Sequence, residues 1–357
     1  MAAAPAGGAV KAALKVLESG KDLEPAAASA AMKELMAGEA TAAQTGAFLA
    51  LLTLDRCKPG IIHALAHVMR ESANPVEIQR SSGPIVDIVG TGGDGQDTFN
   101  ISTAAGLLAA GAGARIVKHG NRAATSKSGA ADIIEALGAK LEIMPSDVSA
   151  VLDAGSFVFL FARSYHPAMK HVGPIRHELG IRTVFNILGP LTNPARPDAM
   201  VCGVYTPVLG RLFVEVFKML GMSRALVVHG CEGLDELSIE GASKVWELHQ
   251  SGEITEYEVR PSDFGLDAHP LSEVAGGTPE ENAAEMRELL SGRGRTAVRD
   301  MIVMNASAAL YAAGKVADFK SGCVAARAAL ADGRAIQTLD AYISASNNPK
   351  VRLQHVL

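Results

Sequence analysis

The chain has 357 residues, of which 48% are hydrophobic and 20% charged, so it is long enough for about two domains with buried cores. This composition excludes a small disulfide-stapled scaffold and a disordered tail. The formal net charge of −5 gives no overall attraction to nucleic acid or to anionic lipid, so we expect no nucleic-acid partner and only local anion sites.

The chain lacks the signals that direct a protein to a membrane. No apolar run reaches the length of a membrane span, and no basic segment followed by a continuous apolar run opens the sequence. We therefore expect a cytoplasmic protein without membrane partners.

Apolar residues recur at helical spacing through the first eighty residues, which are rich in alanine. Val10, Leu14 and Leu17 would share one face of a helix. This spacing predicts a small all-helical domain over residues 1–80, and we expect part of 175–200 to join it.

The pattern changes at 81–84, where glycine and proline interrupt the chain, and strand-like runs then alternate with helical segments. The runs are 85–89, 116–118, 157–161, 200–204 and 226–229. Such alternation predicts a mainly parallel sheet covered by helices, in a large α/β domain over 81–357. Two alternating runs, 245–248 and 255–259, predict an antiparallel hairpin that makes the sheet mixed.

A glycine-rich loop follows the first strand. Gly90, Gly92 and Gly95 match a dinucleotide-binding pattern, but no Asp or Glu occurs from 98 to 131 to hold the ribose hydroxyls. A Walker loop is excluded because the Lys and the Ser or Thr that it needs are missing at 96–97. The loop is then either an ordinary tight turn or a place where backbone approaches a ligand.

A basic loop follows the second strand and carries Lys118, Arg122 and Lys127. The carboxyl ends of neighbouring parallel strands meet at one edge of a sheet, so this loop would lie beside the glycine loop and the helix that begins near Asn100. Free N–H groups at a helix start favour anions. Together the two loops predict a polyphosphate pocket, whereas the basic loop alone could be an ordinary solvated loop.

Asp235 and Glu236 follow the fifth strand-like run. A polyphosphate commonly brings Mg²⁺, which takes one or two carboxylates and keeps several waters. The pair is therefore a candidate magnesium site, and its alternative is a helix start or a solvated turn.

The motifs together resemble those of the anthranilate phosphoribosyltransferases over nearly the whole chain. The matching segments are the glycine loop with 100–103, the Lys-His-Gly-Asn-Arg run at 118–122, the stretch from His166 to Pro194, and the Asp235-Glu236 pair. The glycine loop and the 118–122 run are partly shared with related phosphorylases, whereas the 166–194 stretch is typical of the anthranilate enzymes.

The resemblance implies an α/β fold of the nucleoside phosphorylase and class III phosphoribosyltransferase type, with a small helical domain, a large α/β domain and an active site at the hinge. It implies a homodimer that transfers the 5-phosphoribosyl group from phosphoribosyl pyrophosphate to the amino group of anthranilate and releases pyrophosphate, in tryptophan biosynthesis. The implied cofactor is Mg²⁺.

The resemblance also implies the site residues, with no covalent catalyst and with charge stabilisation by Lys118. The donor would be held by Gly90, Thr91, Gly93, Asp94, Thr98, Asn100, Ile101, Ser102, Thr103, Lys118, Gly120, Asn121, Arg122, Ser126 and Ala130. Anthranilate would contact Gly90, His119, Asn121, His166 and Arg176. The magnesium ligands would be Ser102, Asp235 and Glu236.

Three residues depart from the family pattern. Ala130 stands where Ser is usual, which removes one hydroxyl contact to the donor, and Thr125 replaces a common Ser. Arg163 stands where Pro is common and would add a positive charge near the acceptor mouth.

Two other functions remain as alternatives. A pyrimidine nucleoside phosphorylase shares the fold and a similar glycine loop, but the 166–194 stretch disfavours it. A non-catalytic relative that binds nucleic acid would need a broad basic face, which the net charge of −5 disfavours.

Overall fold

A computed structural model describes residues 8–123 and 126–349, so Thr125 lies outside the described residues. Four helices form a bundle at the start of this region: α1 (Gly8–Glu18), α2 (Pro25–Ala37), α3 (Ala42–Leu51) and α4 (Pro59–Glu71). Val10 and Leu17 are buried in the bundle core, and Leu14 packs against it. Thr41 and Gln44 form a capping box that fixes the start of α3. The predicted helical unit is confirmed.

The bundle is followed by a sheet of seven strands in the order β3-β2-β1-β4-β5-β6-β7. The strands are β1 (Ile85–Gly90), β2 (Arg115–Gly120), β3 (Phe157–Phe161), β4 (Ala199–Gly203), β5 (Arg224–Gly230), β6 (Ser243–Leu248) and β7 (Ile254–Val259). Strands β1 to β5 pair in parallel, and β6 and β7 pair antiparallel. The predicted mainly parallel mixed sheet, with its hairpin, is confirmed.

Eleven further helices lie within the described residues. They are α5 (Ile101–Gly111), α6 (Ala130–Ala136), α7 (Val148–Gly155), α8 (Ala162–Tyr165), α9 (Gly173–Leu179), α10 (Phe185–Leu188), α11 (Val208–Met219), α12 (Pro279–Leu290), α13 (Thr296–Ala312), α14 (Phe319–Ala331) and α15 (Arg334–Asn347). The helix expected to begin near Asn100 is α5.

The sheet separates two apolar cores. Helices α5, α12, α13, α14 and α15 cover one face, and their side chains pack with Ile88 and Ile116. On the other face, Met200 and Cys202 of β4 share a core with α11, α10 and the bundle. The bundle is thus packed on the sheet through a continuous apolar layer.

Helix α9, which is inserted between β3 and β4, lies against the bundle. The position that a β-carbon of Gly46 in α3 would occupy is 3.8 Å from Ile175 and 3.9 Å from Leu179 of α9. Val172, just before α9, is buried in the bundle-side core. The segment that carries the 166–194 motif therefore joins the bundle to the sheet.

No helix in the two described stretches is both long and apolar enough to cross a membrane. Their four cysteines are free thiols, three of them buried and Cys231 exposed.

Candidate active site

The glycine loop after β1 has a backbone that other residues adopt rarely. Gly92, Gly93 and Gly95 have φ angles of +69°, +77° and +73°, in the left-handed region. Gly90 pairs in register with Gly203 at the end of β4, and a β-carbon at either position would collide with Asp235. The loop therefore needs glycine both for its turn and for the close approach of Asp235.

Asp235 and Glu236 face this loop, as their position after β5 predicted. The Gly92 N–H donates to Asp235 Oδ2 at 2.6 Å, and the Asp235 N–H lies 3.5 Å from Asp94 Oδ2. Both acidic residues are only 9% exposed. Burial and the nearby carboxylates of Asp94 and Glu236 raise the pKa of Asp235 well above its ordinary value. Burial likewise raises the pKa of Glu236 to about 7.

These residues suit a divalent cation that has further ligands. The hydroxyl and the backbone N–H of Ser102 face the Glu236 carboxylate, so Ser102, Asp235 and Glu236 lie around one place. Among residues 8–123 and 126–349, no three His, Cys, Asp or Glu side chains are arranged to hold a metal ion by themselves. A cation there would offset the repulsion between the carboxylates, and Mg²⁺ completes its shell with phosphate oxygens and water.

Lys118 is buried under the start of α5. Its Nζ donates to the Ile88 carbonyl at 2.6 Å and to Ser102 Oγ at 3.1 Å, and the residue is only 1% exposed. Burial lowers its pKa, while the charges of Asp87, Glu236 and Asp235 oppose that shift. Lys118 thus places its positive charge beneath the start of α5, below the predicted phosphate pocket.

The side chain of Asn100 connects the start of α5 to the basic loop. Asn100 does not cap α5 with its side chain; its Nδ2 donates to the Ser128 carbonyl at 2.9 Å, and its Oδ1 accepts from Ser128 Oγ at 3.1 Å. The Asn282 side chain also donates to Asn100 Oδ1 at 3.0 Å. The Asn100 side chain therefore holds the basic loop against the start of α5 and does not cap that helix.

The threonines that the resemblance assigns to donor binding lie in structured surroundings. The Thr91 N–H donates to the Gly203 carbonyl at 2.9 Å, and its hydroxyl accepts from the Tyr205 N–H at 3.2 Å. Thr98 forms an isolated antiparallel bridge with Ala275. Thr103 is buried one residue after Ser102. These contacts fix the loop in place.

Arg122 pairs with acidic residues of α6, away from Lys118. Its Nη1 donates to Asp132 Oδ1 at 2.9 Å and to Glu135 Oε2 at 2.8 Å, on the first turns of α6. The side chain is 44% exposed. The structure therefore does not bring Arg122 together with Lys118. Ala130 packs beside Gly120, and the Asn121 carbonyl accepts from the Ala131 N–H at 3.1 Å. Ser126 and Lys127 are exposed on the same loop.

On the opposite face of β2 from Lys118, His119 meets His166. The ring centroids are 5.2 Å apart with the planes at 62°. Burial lowers the pKa of His119 well below its ordinary value and that of His166 to about 4, so both rings are neutral at pH 7. The Nε2 atom of each ring is buried without a hydrogen-bond partner among the described residues. Two buried polar atoms are thus open to a ligand or water.

Arg176 lies on α9 in the segment that joins bundle and sheet. Its guanidinium stacks over the Phe185 ring, with Cζ 5.2 Å from the centroid. It forms no ion pair with a carboxylate in the described part of the chain, and burial lowers its pKa. A half-buried guanidinium of this kind suits a planar carboxylate.

Three residues near the site were not singled out from sequence. Asp87 and Asn193 are fully buried and hydrogen-bond to each other, with Asn193 Nδ2 2.8 Å from Asp87 Oδ2. Arg182 donates from Nη2 to the Gly93 carbonyl at 2.8 Å and stacks on Tyr205. Their roles depend on tertiary contacts between distant segments, although the 166–194 motif contains two of them.

Two family models match the chain. Residues 82–336 match the α/β domain of a glycosyl transferase family, and residues 11–73 match the helical bundle domain of the same family. The boundary between them falls where the helical pattern ends in the sequence.

Curated and solved proteins also match almost the whole chain. The anthranilate phosphoribosyltransferase of Thermus thermophilus is 46% identical over 332 residues, covering 93% of this chain and 98% of the relative. A crystal structure of the enzyme from the same species aligns with a TM-score of 0.88 at 45% identity, over 94% of this chain and 99% of that one.

The enzyme of Saccharomyces cerevisiae was solved with bound ligands. The complex with PRPP and Mg aligns with a TM-score of 0.88 at 31% identity, over 95% of this chain and 98% of that one. The complex with 4-fluoroanthranilate aligns with a TM-score of 0.86 at 29% identity, over 95% and 97% of the two chains.

Proposed function

The chain belongs to the anthranilate phosphoribosyltransferase family, and on that premise we propose how its residues carry out the reaction. The enzyme transfers the 5-phosphoribosyl group of phosphoribosyl pyrophosphate to the amino nitrogen of anthranilate and releases pyrophosphate, in tryptophan biosynthesis. One observation supports the assignment of residues: the glycine loop, the start of α5 and the Asp235-Glu236 pair lie together at one edge of the sheet.

The donor occupies the pocket between the glycine loop and the basic loop. The phosphates bind to backbone N–H groups of the glycine loop beyond Gly92 and to the α5 start, which the Asn100 side chain does not cap. Lys118 stabilises the charge from below through its contact with Ser102. Arg122 can bind the donor only if it first breaks its ion pairs with Asp132 and Glu135. We therefore expect it to contribute less to donor binding than the other basic residues.

Ser102, Asp235 and Glu236 hold Mg²⁺ together with the pyrophosphate. The donor set is one hydroxyl and two carboxylates, which suits a hard cation that shares its shell with phosphate oxygens. When bound, the ion supplies positive charge to the leaving pyrophosphate. Gly90 and Gly203 leave the space in which the Asp235 carboxylate reaches the loop.

Anthranilate binds on the other face of β2. Arg176 receives its carboxylate, and His119, His166 and Asn121 line its ring and amine, with the glycine loop at Gly90 nearby. The two neutral histidines accept or donate single hydrogen bonds through their free Nε2 atoms. Their low pKa values support a binding role and not a role as bases at pH 7.

The reaction needs no nucleophile from the protein. The aromatic amine is neutral at pH 7 and attacks the anomeric carbon of the ribose as the bond to pyrophosphate breaks. The amine then loses one proton, to the released pyrophosphate or to water. The residues contribute by placing the two substrates and by stabilising the charge that develops on the leaving group. Closure around the site excludes water that would hydrolyse the donor.

We extend the proposal to a homodimer in which subunits meet through the helical bundle. The family resemblance supports it, and Leu51 of α3 is an exposed apolar residue on that bundle. Light scattering at working concentration should give twice the mass of one chain, and a monomer would contradict this part.

The direct test is the loss of anthranilate fluorescence when the protein is mixed with phosphoribosyl pyrophosphate, with and without Mg²⁺. We expect a loss that requires both the donor and the metal. An Asp235→Asn variant should keep its fold and lose the metal dependence together with most of the rate. Absence of any fluorescence loss in the wild-type protein, with the donor intact, would contradict the assigned reaction.

A further inference from the structure

The backbone ladder between β1 and β2 stops early. Register pairs between the two strands are found only at Ile85 with Arg115 and at Val86 with Ile116. By contrast, β1 stays paired with β4 up to Gly90 and Gly203, and β2 stays paired with β3 up to Gly120. The seam, defined here as residues 87–90 of β1 opposite 117–120 of β2, leads directly to the two loops of the active site.

Side chains take the place of the missing ladder bonds. The His119 N–H donates to Asp87 Oδ1 at 3.3 Å, and Asn193 Nδ2 donates to the Val117 carbonyl at 2.9 Å. Lys118 Nζ donates to the Ile88 carbonyl at 2.6 Å. Backbone groups that a regular ladder would pair are therefore satisfied by three side chains, and the seam does not leave them unpaired in the core.

Asp87 and Asn193 are joined into one unit within the seam. Asn193 Nδ2 donates to Asp87 Oδ2 at 2.8 Å, and Asn193 Oδ1 accepts from the Ala195 N–H at 2.9 Å. Both side chains are 0% exposed, and each polar atom of the Asn193 side chain has a partner. The carboxamide is thus held in one orientation, and the backbone of β2 is held at a fixed distance from β1.

Strand β2, on one side of the seam, carries both a donor-side residue and an acceptor-side residue. Lys118 projects to the face of α5, where it contacts Ser102, and His119 projects to the other face, where it contacts His166. Asp87 holds the backbone N–H of His119 itself. A shift of β2 relative to β1 would therefore move the acceptor residues relative to the glycine loop at the end of β1.

We propose that Asp87 and Asn193 are positioning residues that bridge the β1–β2 seam and set the distance between the bound donor and the bound acceptor. This inference rests on the proposed function and adds two residues to it. Neither side chain needs to contact a substrate, because both act through Val117 and His119. A misplacement of about 1 Å between reacting groups costs on the order of a hundredfold in rate, so the effect belongs mainly to kcat.

The test compares Asp87→Asn and Asn193→Ala with the wild-type protein. Asn at position 87 keeps an acceptor for the His119 N–H but places a second amide against Asn193, whereas Ala at position 193 removes both of its bridging bonds. We expect kcat to fall on the order of tenfold for Asp87→Asn and a hundredfold for Asn193→Ala. The Kd of phosphoribosyl pyrophosphate with Mg²⁺, measured by calorimetry, should stay within about threefold in both variants.

Glu247→Gln provides the matched control. Glu247 is a buried carboxylate in the same sheet, 2% exposed, and accepts from the hydroxyls of Tyr257 and Tyr311 away from the carboxyl-edge loops. Its variant should lose thermal stability while kcat stays within about twofold of wild type. If Asn193→Ala fails to fold, Asn193→Ser, which keeps one donor, takes its place beside Asp87→Asn.

The outcomes are distinguishable. A wild-type-like kcat in folded seam variants would overturn the positioning role, and so would a loss of kcat matched by an equal loss of donor affinity. An inactive wild-type protein would instead contradict the proposed function, and with it the positioning role that rests on that function.

Discussion

The carboxylate of Asp235 occupies the space beside Gly90 that the side chain of any other residue would need. Alanine at position 90 would collide with Asp235 Oδ2 and lie 3.0 Å from its backbone carbonyl oxygen, so the acidic pair would have to move away from the glycine loop. We expect Gly90→Ala to lower Mg²⁺-dependent kcat/KM by on the order of a hundredfold or more. Gly173→Ala is the control, since a β-carbon there meets nothing within 4 Å; similar losses in both variants would contradict the crowding argument.

The guanidinium of Arg176 predicts a selective effect on the acceptor. Its stacking on Phe185 leaves its hydrogen-bonding edge free for a carboxylate. We expect Arg176→Ala to raise the KM for anthranilate by on the order of tenfold to a hundredfold, with less than about a twofold change for the donor. Arg176→Lys should recover only part of the loss, because an ammonium lacks the planar fork. Equal effects on both substrates would rule out the assigned contact.

For Arg182 we expect the opposite selectivity, an effect on the donor and not on anthranilate. It donates to the Gly93 carbonyl and stacks on Tyr205, so it connects the segment between α9 and α10 to the loop that binds the donor. We expect Arg182→Met to raise the KM for phosphoribosyl pyrophosphate by about fivefold to tenfold and to leave that of anthranilate nearly unchanged. Arg211→Met, which removes an exposed arginine paired with Glu215 on α11, should change neither value. An unchanged donor KM in Arg182→Met would show that this contact does not support the loop.

The buried His166 should make the protein less stable in acid. Burial lowers its pKa from 6.5 to about 4, so the unfolded chain binds a proton below about pH 6.5 that the folded protein excludes until about pH 4. Stability therefore falls as the pH decreases through this range, by about 2 kcal/mol between pH 7 and pH 5 from this residue. Urea unfolding at the two pH values measures the free energy of unfolding. Its decrease from pH 7 to pH 5 should be smaller in His166→Asn than in the wild-type protein, by about that amount. The exposed His177, changed to Asn, serves as control, and an identical acid drop in His166→Asn and wild type would contradict the burial argument.

The sequence allowed the sheet edge to be predicted because the strands are short apolar runs bounded by glycine and proline. In a parallel sheet, the loops that follow such strands must meet, which is why Asp235 could be expected near the glycine loop. The left-handed turn at Gly92 and Gly93 also agrees with a glycine-rich pattern.

Other parts of the site depend on contacts that spacing does not contain. Arg122 looks like a phosphate ligand in the sequence, but Asp132 and Glu135 on the following helix bind it first. Asp87 looks like a polar interruption of a buried strand, and its role emerges only where the ladder to β2 ends. The register of two strands and the partners of a long flexible side chain are properties of the folded chain, so sequence patterns did not indicate them.

The apolar layer shared by the helical bundle and the sheet limits how the polypeptide can be divided. Met200, Phe213 and Phe217 lie in one core with residues of α1 to α4, although a linear boundary near residue 81 looks suitable for truncation. A fragment that starts at residue 82 would present this core face to water and would self-associate, because large contiguous apolar patches favour aggregation. If the bundle and the α/β domain are produced as separate fragments, both must therefore be present when the sheet folds, so that the bundle can cover this face.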